Sequence, residues 1–454
     1  MIRTATGTRD LYNIDVKLRS HIFDVSKKCF ECRNAKQLET PIFELYDTVK
    51  NIYGEEFNKL VYKLKDESDE LILRYDLTVP FARYVGVNGL QLFRRYQIGK
   101  VYRSDNPQIS KGRFREFYQC DFDIAGNDGE TNIFDMEICD LAVDVITRLI
   151  GHNFIIKFNH RTIITDYLTK LNIPPDMFNS VTTSIDKLDK KTIDEIKQEL
   201  TNKFANYDNN NNNDDMNNIV DGIIEFIKNI SSFNENNNSW EDRLKYLYEQ
   251  QFITEDTYHM FFKIMTQLSA MQIDKYFSFE PLLARGLDYY TGIIFEGYYY
   301  DKNVMESAIC GGGRYDNLIE KFSNHGKIPS VGFSLGVERI VTILEIIEKD
   351  FIKQLNELNN PEVYICTIGQ NMVNQRIRLA SLFRKKGVNC IMSHSENPKM
   401  GHQMADVFDN NIKFMIVVGD KELKNNQLTI KKISTKEQFT LDFNDAINHI
   451  LNEL

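Results

Sequence analysis

The stretch RRYQIGKVYRSDNPQISKGRFREFYQCDFDIAG, Arg94 to Gly126, decides how the rest of the chain is read. It reads as a strand, a loop holding Asp105, Asn106 and Pro107, and a returning strand, together a long hairpin. Split by the period of two that a strand imposes, the returning strand has two unlike faces. One carries Arg113, Arg115, Phe117, Gln119, Asp121 and Asp123. The other carries Phe114, Glu116, Tyr118, Cys120, Phe122 and Ile124, a core face with Glu116 as its exception. The first face is too polar for a core and too varied for a plain solvated edge. Two readings follow. One is an exposed amphipathic strand laced with ion pairs. The other is a concave sheet whose polar face binds a charged ligand, with Arg side chains on phosphates, Phe117 stacked on a base and the Asp residues accepting from cationic or N–H groups.

Further along, ARGLDYYTGIIFEGYYY (Ala284 to Tyr300) places Arg285 and the pair Tyr289, Tyr290 ahead of an apolar strand, Ile293 to Phe295. Strand tyrosines are ordinary core or rim residues, so alone they leave core and site open. CGGGRYDNLIEKF (Cys310 to Phe322) adds three successive glycines, which either turn the chain or let backbone approach something closely. They are not a phosphate loop of the Walker type, since Lys and Ser/Thr do not follow at the required spacing. VGFSLGVERI (Val331 to Ile340) puts Gly336 at a strand end and Arg339 in the first turn of an amphipathic helix over Val337 to Ile347, where an anion is favoured.

The 454 residues suggest roughly three domains. Hydrophobic content of 42% and charged content of 26% are those of an ordinary globular chain. The apolar runs are too short or interrupted to span a membrane, and the N-terminus has neither signal-peptide nor presequence texture, so the expected location is the cytosol without membrane association. Seven cysteines do not suggest a disulfide framework. Cys29 and Cys32 have C-x-x-C spacing but continue an apolar stripe from Ile14, Leu18, Ile22 and Val25, which makes them core residues and not metal ligands. The net charge of −10 argues against nucleic acid for the surface as a whole, yet Arg94, Arg95, Lys100, Arg103, Lys111, Arg113 and Arg115 gather locally.

The texture divides the chain into residues 1–159, strand-like and rich in aromatics and Arg; 160–278, helical and polar, with Asn-rich loops from Asn206 to Asn218 and Asn234 to Asn238; 279–352, strands again; a linker from Lys353 to Pro361; and 361–454, where strands alternate with helices. The first and third parts read as one fold interrupted by a helical insertion.

In order along the chain stand GTRD (Gly7 to Asp10), TPIFE (Thr40 to Glu44), LRYDLTVPFARY (Leu73 to Tyr84), the hairpin, ARGLDYYTG, GGGRYD and VGFSLGVERI. This series resembles the class II aminoacyl-tRNA synthetases, and among them the histidyl-tRNA synthetase family in its eukaryotic-type branch. TPIFE is similar to motif 1, the hairpin to motif 2 and VGFSLGVERI to motif 3. The resemblance implies an α+β fold: a class II antiparallel-sheet catalytic core with a helical insertion, plus a C-terminal α/β anticodon-binding domain. It implies a homodimer, histidine and its tRNA as substrates, and ATP accompanied by Mg²⁺ with no dedicated protein metal cage.

The resemblance also implies roles for residues. Asp76, Leu77, Thr78 and Gln119 would line the place of histidine's α-amino group, while Asp123, Tyr289, Tyr290 and Tyr315 would form the side-chain pocket, with Asp123 and Tyr290 on the imidazole nitrogens. Arg103 would grip the α-phosphate of ATP, Arg113 the outer phosphates, and Phe117 and Arg339 would sandwich the adenine. Arg285 would stabilise the pentacoordinate transition state. Lys421, Lys424, Lys431 and Lys432 would supply tRNA phosphate contacts, although each alone reads more readily as a solvated charge. Two rival readings are a non-catalytic synthetase-like regulatory or RNA-binding paralogue, and a different ATP-dependent ligase on the same fold.

Overall fold

The computed structural model describes all residues except 1, 51, 54–56, 66–68, 190, 208–212, 235–238, 285–288, 325, 358–359 and 454. The chain forms two units, residues 1–349 and 350–454.

The hairpin forms as its sequence requires. Strand Phe93–Tyr102 pairs antiparallel with Glu116–Ala125, in a register that sets Arg95 opposite Asp123, Gln97 opposite Asp121 and Gly99 opposite Gln119. Around it lies an eight-stranded sheet in the order Lys36–Gln37, Phe93–Tyr102, Glu116–Ala125, Ser330–Gly336, Cys310–Arg314, Ile293–Tyr299, Phe154–His160, Phe277–Phe279. Its six central strands are mutually antiparallel and each edge strand pairs parallel with its neighbour.

One face of this sheet is covered by helices Ile14–Glu31, Ile133–Ile150 and Val337–Ile347. The apolar side chains of the returning strand meet them there: Phe122 lies 5.6 Å from Phe30, and Tyr118 lies 5.0 Å from Phe23. Glu116, the exception on that face, accepts from Lys100 at 2.7 Å. Burial of this layer supplies the driving force, at roughly 25 cal/mol per Å² of apolar surface.

The segment after Arg161 is a set of helices (Arg161–Lys170, Phe178–Ile185, Ile193–Tyr207, Asn213–Asn234, Trp240–Glu249 and Glu255–Ala270). A core of Ile164, Leu168, Val181, Ile196, Leu200, Ile223 and Ile227 joins the first four of them. Here the structure corrects the loop expected from Asn206 to Asn218. Asn206 lies in the last turn of helix Ile193–Tyr207, 208–212 lie outside the described residues, and a new helix begins at Asn213. The stripe Val220, Ile223, Ile224, Ile227, Ile230 recurs at helical spacing and is buried, and its packing outweighs the weak helix preference of the asparagines before it.

Two smaller expectations also change. Lys353 to Pro361 read as a linker, but helix Lys349–Glu357 runs through its first half, with Leu355 buried on one side. Cys29 is buried as expected, whereas Cys32 is exposed, because the first helix ends at Glu31 before the stripe can carry Cys32 inward.

The unit from 350 onward has a five-stranded sheet in the order Cys390–Met392, Val363–Thr367, Phe414–Val418, Gln427–Lys432, Gln438–Asp442. The first three are parallel and the last two antiparallel, an α/β arrangement. One sheet face packs Val363, Ile365, Phe414 and Ile416 against Leu379, Phe383, Ala446 and Ile450 of two helices, and the other packs Tyr364, Cys366 and Met415 against Val407. Of the lysines expected to meet phosphate, Lys432 donates to Glu453 at 2.6 Å, and Lys421 and Lys424 are exposed.

Candidate active site

The face of the large sheet turned away from its three helices carries the polar side chains of the hairpin. Asp121 and Asp123 are almost wholly buried there, which excludes the solvated-strand reading. Arg95, on the paired strand and with no exposed surface, lies between them and the chain at Leu77: one terminal nitrogen is 2.6 Å from an Asp123 carboxylate oxygen and donates to the Leu77 carbonyl at 2.7 Å. Arg95 also stacks over Phe81, 4.9 Å from the ring centre. The Tyr315 hydroxyl donates to the other Asp123 oxygen.

Glycines make this packing possible. A Cβ on Gly332, in the neighbouring strand and in register with Asp123, would fall 2.1 Å from an Asp123 oxygen. The run Gly311 to Gly313 lies in a strand, not a turn, and serves close approach: a Cβ on Gly313 would fall 2.9 Å from the Tyr290 ring. Tyr289, Tyr290 and Tyr315 thereby cluster, with ring centres 4.9, 6.0 and 6.4 Å apart.

Asp76 enters from helix Thr78–Asn88, whose first turn its carboxylate caps by accepting from the Val79 N–H at 3.0 Å. Tyr53 also hydrogen-bonds to it. Thr78 is half-buried and the Leu77 side chain fully buried, so Leu77 offers the pocket its backbone. Gln119 donates to the Ser334 hydroxyl at 2.8 Å, and its own carbonyl oxygen is buried without a hydrogen-bond partner among the described residues. One oxygen of Asp121 and two nitrogens of Arg95 are in the same condition, while the Asp123 oxygen beside Arg95 is held by that ion pair. Buried polar atoms left unsatisfied are costly, and their concentration here marks a ligand site.

Electrostatics agree. Burial pushes the Asp121 carboxyl up to about 7 against the pull of Arg95. It also raises Asp123, against Arg95 and Tyr315, and Asp76, against the Val79 N–H, Tyr53 and Arg103. Such a site is short of donors and positive charge, so it favours a ligand that brings both.

At the loop end of the hairpin, Arg103 donates to the Tyr75 carbonyl at 3.1 Å and lies 4.3 Å from the Tyr75 ring and 5.3 Å from that of Phe117. Arg113 pairs with Asp105, which also takes a bond from Arg115 through its carbonyl at 2.9 Å. Gly112, at φ +65°, brings the loop against the first turn of helix Val337–Ile347, where its Cβ would be 3.1 Å from the Cα of Arg339. The Arg339 guanidinium donates to the Ala308 carbonyl. Arg285 lies outside the described residues. Among the described residues no group of three or more His, Cys, Asp or Glu is placed to hold a metal ion, and no helix is long and apolar enough to cross a membrane.

The structure thus brings Asp76, Leu77, Gln119, Asp123, Tyr289, Tyr290 and Tyr315 to one pocket, and Arg103, Phe117, Arg113 and Arg339 to the adjoining hairpin loop. Sequence reasoning missed Arg95 and Tyr53 as site residues. Arg95 was one cation in a basic cluster, and only the hairpin register reveals that it opposes Asp123.

An antiparallel sheet with an arginine-bearing hairpin loop beside an acidic, tyrosine-walled pocket is the architecture of an amino-acid-activating tRNA ligase. The sequence pattern of histidyl-tRNA synthetase matches residues 7–340, and that of the anticodon binding domain matches 362–453. The chain is 34% identical to the cytoplasmic histidine–tRNA ligase of Dictyostelium discoideum, over 100% of this chain and 92% of that one. It is 31% identical to the mitochondrial histidine–tRNA ligase of Bos taurus, over 100% and 88%. The crystal structure of histidyl-tRNA synthetase from Nostoc sp. PCC 7120 shares the fold, with TM-score 0.70, 24% identity and 100% of both chains covered. The chain belongs to the histidyl-tRNA synthetase family.

Proposed function

We propose that this chain is an ATP-dependent histidine–tRNA ligase that works in two steps at the site described, and that its residues divide the labour as follows. Asp76 and the Gln119 carbonyl oxygen, with the Thr78 hydroxyl, accept from the α-ammonium of histidine. Asp123 accepts from one imidazole N–H, Tyr290 donates to the other ring nitrogen, and Tyr289 and Tyr315 wall the ring. The observation that carries this reading is the buried, donor-poor pocket of Asp76, Asp121 and Asp123 against three tyrosines.

Arg103 holds the α-phosphate of ATP, and Arg113 leaves Asp105 for the outer phosphates. Phe117 and Arg339 take the two faces of the adenine; the Gly112–Arg339 contact, which joins loop and helix, supports their proximity. Mg²⁺ carried with the nucleotide would supply neutralising charge to the phosphates, held by them and not by a cage of protein ligands. Histidine's carboxylate attacks the α-phosphorus, pyrophosphate leaves, and Arg285 stabilises the charge that develops on the equatorial oxygens. In the second step a ribose hydroxyl of the terminal tRNA adenosine attacks the adenylate carbonyl. A phosphate oxygen of the adenylate takes its proton, and AMP leaves.

The 361–454 segment binds the anticodon, with Lys421, Lys424 and Lys431 as phosphate contacts. Two chains associate through the exposed apolar residues Ile42 and Phe43 of the TPIFE segment and Leu45 just after it. The place of action is the cytoplasm.

The deciding experiment is ATP–pyrophosphate exchange with histidine against the other amino acids, without tRNA. Histidine alone should support exchange, with a preference of about 10⁴ or more, because a hydrogen-bonding pocket rejects side chains that leave it unpaired. Exchange with several amino acids alike would refute the specificity, and no exchange at all would favour the non-catalytic paralogue.

A further inference from the structure

Among the described residues Arg95 is the one wholly buried guanidinium against the pocket acids, and no role above falls to it. Its side chain has no exposed surface, is 2.6 Å from Asp123, is fixed by the Leu77 carbonyl at 2.7 Å, and keeps two nitrogens without a partner among the described residues. Around it stand Asp121 and Asp123 on the returning strand, Asp76 ahead of helix Thr78–Asn88, Tyr315 after the glycine strand, Tyr290, and Arg74, whose guanidinium is taken by the carbonyls of Lys100 and Thr40 at 2.7 and 2.9 Å. Of the three buried carboxylates, Asp123 is in direct contact with the Arg95 guanidinium, which also acts across space on Asp121 and on Asp76, the last under the pull of Arg103 as well.

We infer that Arg95 is a positioning residue for amino-acid recognition: its fixed charge, in contact with Asp123, holds that carboxylate as an acceptor in a buried pocket, so that the pocket presents it to the imidazole N–H of the substrate. The inference rests on the proposed reading that Asp123 faces the imidazole. A protonated Asp123 would spend one oxygen as a hydroxyl donor and present the wrong hydrogen-bonding pattern to a ring N–H. Burial opposes ionisation of both acids, and Asp121 already stands at about 7, so little margin remains if the guanidinium is removed. An opposite charge at this distance is worth about 1–3 pKa units to a carboxyl group.

The test separates charge from architecture. Arg95→Gln keeps an N–H for the Leu77 carbonyl and removes the charge, and Arg95→Lys keeps the charge. In ATP–pyrophosphate exchange at pH 7, Arg95→Gln should lower kcat/KM for histidine, by at most about 1000-fold, the ceiling that a shift of 1–3 units sets. KM for ATP should stay within about twofold, since no ATP residue touches Arg95. As pH rises from 7 to 9 the deficit should shrink, by up to about tenfold per unit while the acid is mostly protonated, and more steeply than any change in the wild type. Arg95→Lys should lose less and keep the wild-type pH profile. If Arg95→Gln instead loses histidine and ATP kinetics equally, with no pH slope and a lowered Tm, Arg95 is merely structural and the inference fails. Asp123→Asn provides the separate control: an unchanged histidine KM in that variant would overturn the imidazole reading itself, and this inference with it.

Discussion

Gly332→Ala alters no group with any chemistry, yet it should cripple histidine recognition. The glycine lies in strand Ser330–Gly336, in register with Asp123, and an added Cβ would stand 2.1 Å from the Asp123 oxygen that accepts from Tyr315. Carbon–oxygen contacts settle near 3.3 Å or beyond, so the carboxylate must retreat by about 1.2 Å. A flexible side chain could swing away, but this one is held by Tyr315 on one oxygen and Arg95 on the other, inside a pocket with almost no exposed surface. Tyr315 is no easier to move, since its hydroxyl would itself stand 3.0 Å from the new carbon. Misplacement of a recognition group by about 1 Å costs on the order of 10²-fold, and overpacking of this kind typically destabilises by about 1–3 kcal/mol. The expected outcome in ATP–pyrophosphate exchange is kcat/KM for histidine down by about 100-fold, KM for ATP within about threefold, and a modest fall in Tm. A stable Gly332→Ala protein with wild-type histidine kinetics would show that Asp123 is not held where the substrate needs it, and would refute the reasoning from the register upward.

Arg285→Ala should slow adenylate formation by roughly 10²–10³ with little change in ATP binding, measured in single-turnover kinetics; wild-type turnover in a folded variant would remove Arg285 from the mechanism. His160 caps helix Arg161–Lys170 through a bond from the Thr162 N–H at 3.3 Å, and burial, aided by Arg314, pushes its pKa from 6.5 down to about 4. A histidine kept neutral in the fold adds stability above its unfolded pKa, lost as pH falls from about 6.5 to 4, and the shift is worth about 3 kcal/mol at the acid end. His160→Asn retains a capping side chain and should flatten that part of the urea-midpoint profile; an unaltered acid slope would contradict the assignment. Light scattering should give twice the 53.1 kDa chain mass, and Phe43→Asp should shift it toward a single chain; a wild-type monomer with full exchange activity would refute the dimer.

What could be read from the sequence was whatever local periodicity determines. A period of two on Arg113 to Ile124 separates the two faces of the returning strand, and the helix from Val337 to Ile347 has the bounds its apolar spacing implies. The Asn-rich tract failed for the opposite reason. Composition describes what asparagines prefer when nothing else decides, and the buried stripe from Val220 to Ile230 does decide. Across 213–218 a helix therefore runs where a loop was expected.

The charge network was illegible because its logic lies in register. Arg94 and Arg95 are adjacent and identical in type, yet alternation sends Arg94 to Glu137 on the helical face and Arg95 to Asp123 in the pocket. No count of basic residues separates them; the length of the loop between the hairpin strands does, by fixing which residue faces which. The same alternation governs GGGRYD. Gly313 admits the Tyr290 ring, Arg314 turns to Asp128, Asp135 and Asp316, and Tyr315 returns to Asp123. Arg314 is thereby held by three carboxylates immediately beside the tyrosine that meets the pocket acid. A buried cation paired this way is a weak source of net stability, but breaking it leaves uncompensated charge, so its geometry is hard to shift. That rigidity explains how a hydroxyl on an otherwise irregular segment can hold Asp123 in place against Arg95.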